Sequence, residues 1–243
     1  MNLSMRGIVK SFGANDVLKS VDFSLKGGEV CALLGENGAG KSTLMNILGG
    51  VLQADAGTIE LDGQPVQFHT PHQSLEAGIA FIHQELNLIN DLPVYENMFI
   101  GRELKKKSGL LDHKEMIRQT QQLFDEMGLD ISPRAMVSSL DASYKQIVEI
   151  SRALMMKASL IIMDEPFVGL DPIASHKLKT IMREHCDRGG AIFFSTHVLE
   201  VAEKLCDKVA ILRKGKLIAS GTMEDVKGNQ SLEEVFLELE AES

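Results

Sequence analysis

Apolar residues along this chain recur with two periods, and the change between them divides the sequence. Up to about residue 84 the pattern is that of short strands. Ile8-Val9-Lys10 and Val21-Asp22-Phe23-Ser24-Leu25 alternate, Lys26-Gly27-Gly28-Glu29 reads as a turn, and Val30-Cys31-Ala32-Leu33-Leu34 is a continuous apolar run. A helix-compatible run from Thr43 to Leu48 stops at Gly49-Gly50, and Ala56 to Gly63 reads as another strand and turn. Pro65 and Pro71 are expected to keep residues 64–73 out of regular helix. Ile79-Ala80-Phe81-Ile82 is a buried-strand candidate ending at His83-Gln84-Glu85. From about 86 to 156 the period becomes helical, over Tyr95 to Ile100, Lys114 to Met127 and Tyr144 to Met156. Leu123, Phe124 and Met127 are expected to form the apolar face of the middle helix, with Asp112 and Glu115 as its start signal and Gly128 as its stop. Strand–helix alternation resumes with Leu160-Ile161-Ile162-Met163, a helix from Pro172 to Asp187, and Ala191 to Ser195. A helix from Leu199 to Cys206 follows, then a strand pair, Val209 to Leu212 and Leu217 to Ala219. An acidic helix from Ser231 to Glu240 closes the chain. The helical stretch reads as an insert in an α/β core, giving segments 1–84, 85–156 and 157–243.

The junction between the third apolar run and the helix after it carries the chemistry. Gly35-Glu36-Asn37-Gly38-Ala39-Gly40-Lys41-Ser42 fits G-x-x-x-x-G-K-[ST] in a strand–loop–helix setting. Glycines let successive N–H groups turn inward on an anion, and the following helix adds its positive end. Lys41 is expected to reach the outer phosphates and Ser42 to ligate Mg²⁺. Three other apolar strands end in polar residues. Asp164 and Glu165 follow Met163, Gln84 follows the run at Ile82, and His197 follows Ser195. In a parallel sheet the carboxyl ends of strands are where ligands bind. Asp164 suits the metal, Glu165 a catalytic base, Gln84 the metal or the attacking water, and His197 a donor to the γ-phosphate. Phe12, in Lys10-Ser11-Phe12-Gly13, could stack on a base or pack at a strand end.

Composition narrows the setting. The 243 residues suffice for a sizeable core, and 44% hydrophobic with 24% charged is ordinary for a globular protein. No apolar stretch approaches the roughly 18 residues of a membrane span, and the first residues lack the apolar core of a signal peptide. Cys31, Cys186 and Cys206 lack metal-like spacing and fit core packing in a reducing compartment. A net charge of −9 argues against nucleic acid, and Lys105-Lys106-Lys107 reads as a solvated loop.

With these motifs in place, the chain resembles the nucleotide-binding subunit of an ABC transporter over nearly its whole length. Gly35–Ser42 matches Walker A, and Leu160–Asp164 with Glu165 matches Walker B and the catalytic glutamate. Gln84 matches the Q-loop, Gly169-Leu170-Asp171 the D-loop, His197 the switch histidine and Phe12 the base-stacking aromatic. The resemblance implies a RecA-like P-loop NTPase core with an antiparallel β subdomain and an inserted helical subdomain. It implies ATP and Mg²⁺, with Phe12, Gly35, Asn37, Gly38, Gly40, Lys41, Ser42 and Thr43 around the nucleotide and Ser42, Gln84 and Asp164 around the metal. It also implies a head-to-tail dimer of two ATP-binding subunits. A separate membrane permease would be met through the helical subdomain and the Gln84 loop, at the cytoplasmic face of the cell membrane.

The sequence departs from the family in its signature motif. Where the family reads L-S-G-G-Q, this chain reads Leu140-Asp141-Ala142-Ser143-Tyr144. By resemblance Asp141 and Ser143 face the partner's ATP, and a carboxylate there opposes the γ-phosphate. Asp141 also suits the cap of the following helix. Poor closure would leave the isolated chain monomeric and slow to hydrolyse. A second departure is one of flavour. Residues 1–166 resemble ATPases of ribose and galactose importers, and residues 167–243 those of exporters, which suggests a hybrid joined after Asp164-Glu165-Pro166. Three functions therefore stand: an ATPase driving transport, an ATP-binding module with little or no turnover, and a clamp of the DNA-repair or translation-factor type.

Overall fold

A computed structural model describes residues 1–241, and their contacts divide them into two units. The first comprises Met1–Gln84, Ser159–Pro166 and the chain from Met182 onward; the second comprises Glu85–Ala158 and Phe167–Ile181. In chain order the first unit opens with β1 (Leu3–Phe12), β2 (Asn15–Leu25), β3 (Val30–Leu34), α1 (Lys41–Leu48), β4 (Ala56–Leu61), β5 (Gln64–Val66), α2 (Pro71–Glu76) and β6 (Ile79–Ile82). The second unit contributes α3 (Val94–Phe99), α4 (His113–Glu126) and α5 (Ala142–Met155). The chain continues with β7 (Leu160–Met163), α6 (Pro172–Asp187), β8 (Ala191–Ser195), α7 (Leu199–Leu205), β9 (Lys208–Arg213), β10 (Lys216–Thr222), α8 (Met223–Lys227) and α9 (Leu232–Ala241). The division falls inside α6, after Ile181.

The first unit holds two sheets. One is antiparallel, in the order β2-β1-β4-β5; the other runs β10-β9-β3-β8-β7-β6, parallel except where β10 returns against β9. Alternate residues of the parallel strands turn to the antiparallel sheet: Cys31 and Leu33 on β3, Leu160 and Ile162 on β7, Phe193 on β8, Leu212 on β9. Their neighbours Ala32, Leu34, Ile161, Met163, Ile192 and Phe194 are buried as well. Burial on both faces is why these strands read as unbroken apolar runs. Phe23 of β2 stacks on Phe193 with ring centroids 4.5 Å apart, joining the two sheets.

In the second unit α3 packs on α4 and α5. Asp112 accepts from the Glu115 N–H at 3.2 Å and caps α4 as its sequence suggests. The buried stripe of α4 is Met116, Thr120 and Phe124, with Met127 just beyond the helix. Leu123, expected on that face, is only half-buried. Thr120 is admitted because its hydroxyl donates to the Met116 carbonyl at 2.9 Å. Fully buried Asn97 closes the loop after the Gln84 segment. Its amide accepts from Ile89 N–H at 2.7 Å and donates to Ile89 O at 3.0 Å.

Two expectations need correction. Pro71 does not exclude helix but begins one: it is the first residue of α2, where its missing N–H costs nothing, and Thr70 caps the turn by accepting from Gln73 N–H at 3.3 Å. Pro65 lies in β5, an edge strand that tolerates it. The first two strands run far beyond Ile8–Lys10 and Val21–Leu25, because irregular register near Gly7 interrupts the alternation by which strands are read. Among the described residues no helix is long and apolar enough to cross a membrane.

Candidate functional site

Strand order builds the site. β3 lies between β9 and β8, and β8 between β3 and β7, so the carboxyl ends of three strands stand side by side. The loop leaving β3 curls back onto its own sheet. A Cβ on Gly35 would lie 2.2 Å from the Leu212 carbonyl oxygen, so no other residue fits without moving β9. Gly40 caps α1 in the left-handed region, at φ 108°, which a side chain would strain.

The loop holds its cation inward. Lys41 is only 7% exposed, and its Nζ donates to the carbonyls of Gly35 at 2.7 Å and Glu36 at 3.2 Å. Ser42, one residue into α1, donates from Oγ to Asp164 Oδ2 at 2.8 Å. Asp164 follows β7 and is held by its N–H to Ile82 O of β6, at 3.1 Å. Its other oxygen, Oδ1, accepts from the hydroxyl of Ser195 at the end of β8. Glu165 has a left-handed backbone, φ 50°, and its N–H donates to Ser195 Oγ at 2.9 Å. His197 Nδ1 lies 3.0 Å from Glu165 Oε2.

These groups line one cleft of about 340 Å³, which includes Asn37, Gly38, Gly40, Lys41, Ser42 and Thr43 from the loop and helix. Gln84, Asp164 and Glu165 form its other wall. The β1–β2 hairpin adds Asn15 and Val17, neither of which carried a signal in the sequence. Phe12, at the hairpin's tip, is 48% exposed and not part of the lining; Lys10 Nζ sits 5.5 Å from its ring centre. His197 reaches the cleft only through Glu165. Ser195, which carried no site signal in the sequence, is itself the last residue of β8, whereas Gln84, Asp164 and His197 lie one or two residues beyond their strands.

The arrangement suits an anion with a hard cation. The loop offers backbone N–H groups, a helix start and a lysine whose bonds here go to carbonyl oxygens. Among the described residues no three of His, Cys, Asp and Glu cluster as a metal cage. Ser42 and Asp164 instead offer two oxygens beside the phosphate loop, which fits Mg²⁺, an ion that keeps waters and phosphate oxygens in its shell.

Asp141 and Ser143 belong to the second unit. Asp141 caps α5, its Oδ1 accepting from Tyr144 N–H at 2.8 Å. Ser143 Oγ accepts from Asp171 N–H at 3.4 Å. Asp171 in turn accepts from Ile173 and Ala174 N–H groups at 2.8 and 2.9 Å at the start of α6. The Ala174 N–H is the main cause holding the Asp171 carboxyl below the usual carboxylate range.

A family model described as ABC transporter matches residues 18–168. The chain is 42% identical over 225 residues to a ribose import ATP-binding protein of Bacillus licheniformis, covering 93% of this chain and 46% of that protein. It is 41% identical over 222 residues to a galactose/methyl galactoside import ATP-binding protein of Salmonella typhimurium, covering 91% and 44%. It therefore spans about half the length of these curated relatives. Among solved structures it is similar to an ATP binding subunit of an ABC transporter, with 31% identity, a TM-score of 0.83 and coverage of 99% and 100%. A nucleotide-free ATP-binding cassette from an ABC transporter matches with a TM-score of 0.84 at 26% identity, covering 97% and 99%. The hybrid expectation finds no support. A match covering 93% of the chain to a ribose import protein continues well past Pro166, so the later residues need no exporter parent.

Proposed function

This chain belongs to the ABC transporter family, and on that premise we propose that it binds Mg-ATP in the Gly35–Ser42 cleft and hydrolyses it to drive sugar import through a separate membrane permease. The observation that carries the reading is the continuous run of hydrogen bonds from Ser42 through Asp164 and Ser195 to Glu165 and His197 along one side of the cleft. Import and sugar rest on the names of the ribose and galactose relatives.

The chain's residues divide the work. Lys41 and the loop N–H groups take the phosphates, and Thr43, at the start of α1, adds its backbone there. Phe12 stacks on the base from the hairpin tip. Ser42, Asp164 and Gln84 would hold Mg²⁺, whose charge would offset that of the phosphates. Glu165 accepts the proton of the attacking water, and His197 holds its carboxylate at Oε2 and donates toward the γ-phosphate. The helical unit, with Asp141 and Ser143, meets the ATP of a second subunit in a head-to-tail dimer. Together with the Gln84 loop it docks on the permease at the inner face of the membrane. A second reading, binding with little turnover, is favoured by the carboxylate of Asp141 at the start of α5.

Steady-state ATPase assays on the wild type and Glu165→Gln separate the two. The transport reading expects Mg-dependent turnover that Glu165→Gln abolishes while ATP still binds. Turnover unchanged by the substitution would remove Glu165 from the base role, and a wild type that binds without hydrolysing would favour the second reading.

A further inference from the structure

Ser195 lies outside the expected site, yet it touches both carboxylate residues of the cleft wall. It is the last residue of β8, the strand between the loop strand β3 and the acidic strand β7. It pairs with Leu33 of β3, while its predecessor Phe194 pairs with Met163 of β7. This register sets the Ser195 side chain against the first residues after β7. The side chain is 0% exposed, so its hydroxyl must find partners within the protein.

A hydroxyl has one proton to give and two lone pairs to receive with. The proton goes to Asp164 Oδ1. That bond leaves Oδ2 as the oxygen facing Ser42, where the pair can share a cation. A lone pair receives the Glu165 N–H at 2.9 Å. Glu165 needs such a hold, because its φ of 50° is one that few residues with a side chain adopt. With the N–H fixed, the Glu165 side chain comes within 3.0 Å of His197, two residues beyond Ser195. The end of β8 thus grips the acidic pair at three points: the Asp164 carboxylate, the Glu165 backbone and the Glu165 carboxylate.

We propose that Ser195 is a positioning residue for hydrolysis, setting Asp164 toward the cation and holding Glu165 in its left-handed backbone as base. The proposal rests on the reading of the cleft as an Mg-ATP site. Ser195 is fully buried and not part of the cleft lining, so it acts through its two neighbours.

The test compares wild type, Ser195→Ala and Ser195→Thr by three measurements: thermal midpoint, binding of a fluorescent ATP analogue across a Mg²⁺ titration and in EDTA, and steady-state turnover. Ser195→Ala should bind the analogue normally in EDTA, since Lys41 and the loop are untouched. It should need at least fivefold more Mg²⁺ for half of the metal-dependent gain in affinity, and lose tenfold or more in kcat. Ser195→Thr keeps the hydroxyl and should recover both to within about threefold. If Ser195→Ala does not fold, Ser195→Cys, close in size and a poor donor, carries the same expectation. Mg²⁺ dependence and kcat within twofold of wild type in Ser195→Ala would overturn the proposal while leaving the Mg-ATP reading intact. So would an equal loss of binding in EDTA, which would mean a general structural role. A wild type that binds no nucleotide would overturn the reading itself and the proposal with it.

Discussion

Asp141 can be separated into two effects by two substitutions. In this structure its Oδ1 accepts from the Tyr144 N–H at 2.8 Å and so caps α5. In the proposed dimer the same carboxylate faces the γ-phosphate of the partner's ATP. Loss of an N-terminal cap costs about 1 kcal/mol, which for a chain of this size lowers the thermal midpoint by roughly 2–4 °C. Repulsion is the larger quantity. One pair of unit charges about 4 Å apart, at an effective dielectric near 20, is worth roughly 4 kcal/mol, or on the order of a thousandfold in closed dimer at 1.36 kcal/mol per decade. Asp141→Ser keeps a capping oxygen and removes the charge; Asp141→Ala removes both. The serine variant should melt with wild type and the alanine variant below it, while both should form more ATP-dependent dimer in a Glu165→Gln background and turn over faster in the native background. Sedimentation with Mg-ATP and a steady-state ATPase assay read these outcomes. If neither variant gains dimer or turnover at unchanged nucleotide affinity, the carboxylate is a cap and nothing more.

Two further outcomes follow from the structure. Gly35→Ala would press a methyl group to 2.2 Å from the Leu212 carbonyl, at a φ of 153°; overpacking of this kind costs roughly 1–3 kcal/mol, so urea titration should show that loss and ATP binding should weaken, and an unchanged midpoint would mean the loop relaxes freely. Burial pushes the Glu149 carboxyl above its ordinary 4.5, against the opposing pull of Arg152 and of the Asn87 N–H. A raised folded pKa favours the protonated form, so the stability it contributes is full below about pH 4.5 and is lost as pH rises through the folded value. Glu149→Gln should therefore gain stability relative to wild type between acid and neutral pH; a gap that is constant or shrinks over that range would refute the sign.

What the sequence revealed, and what it hid, follows from the range of the forces involved. Gly35–Ser42 was legible because the loop needs its residue types at fixed spacing. Gln84, Asp164 and His197 were legible because each breaks an apolar run at a strand's end. Asp112 and Asp141 announced helix starts because capping is local. Ser195 was hidden, since a serine at the end of a strand means nothing until β7 is known to lie beside it. Pro71 misled because proline breaks a helix interior and opens a first turn, and only the Thr70 cap distinguishes the two. Leu123 misled because hydrophobicity alone cannot say that Thr120, satisfied by its own helix, takes the buried place. The grouping of Phe167–Ile181 with the helical unit depends on contacts far apart in the chain, which no local pattern reports.

The central claim is that the Gly35–Ser42 loop binds Mg-ATP through Lys41, and calorimetric titration of ATP into wild type and Lys41→Ala tests it most directly. Lys41 gives hydrogen bonds that a phosphate would receive in place of the Gly35 and Glu36 carbonyls, and bonds to a charged group are worth about 1.5–3 kcal/mol. Wild type should bind ATP, more tightly with Mg²⁺ than in EDTA, and Lys41→Ala should bind about 10- to 100-fold more weakly while melting as a folded protein. A wild type without measurable ATP binding, or a Lys41→Ala variant that binds as well as wild type, would contradict the account.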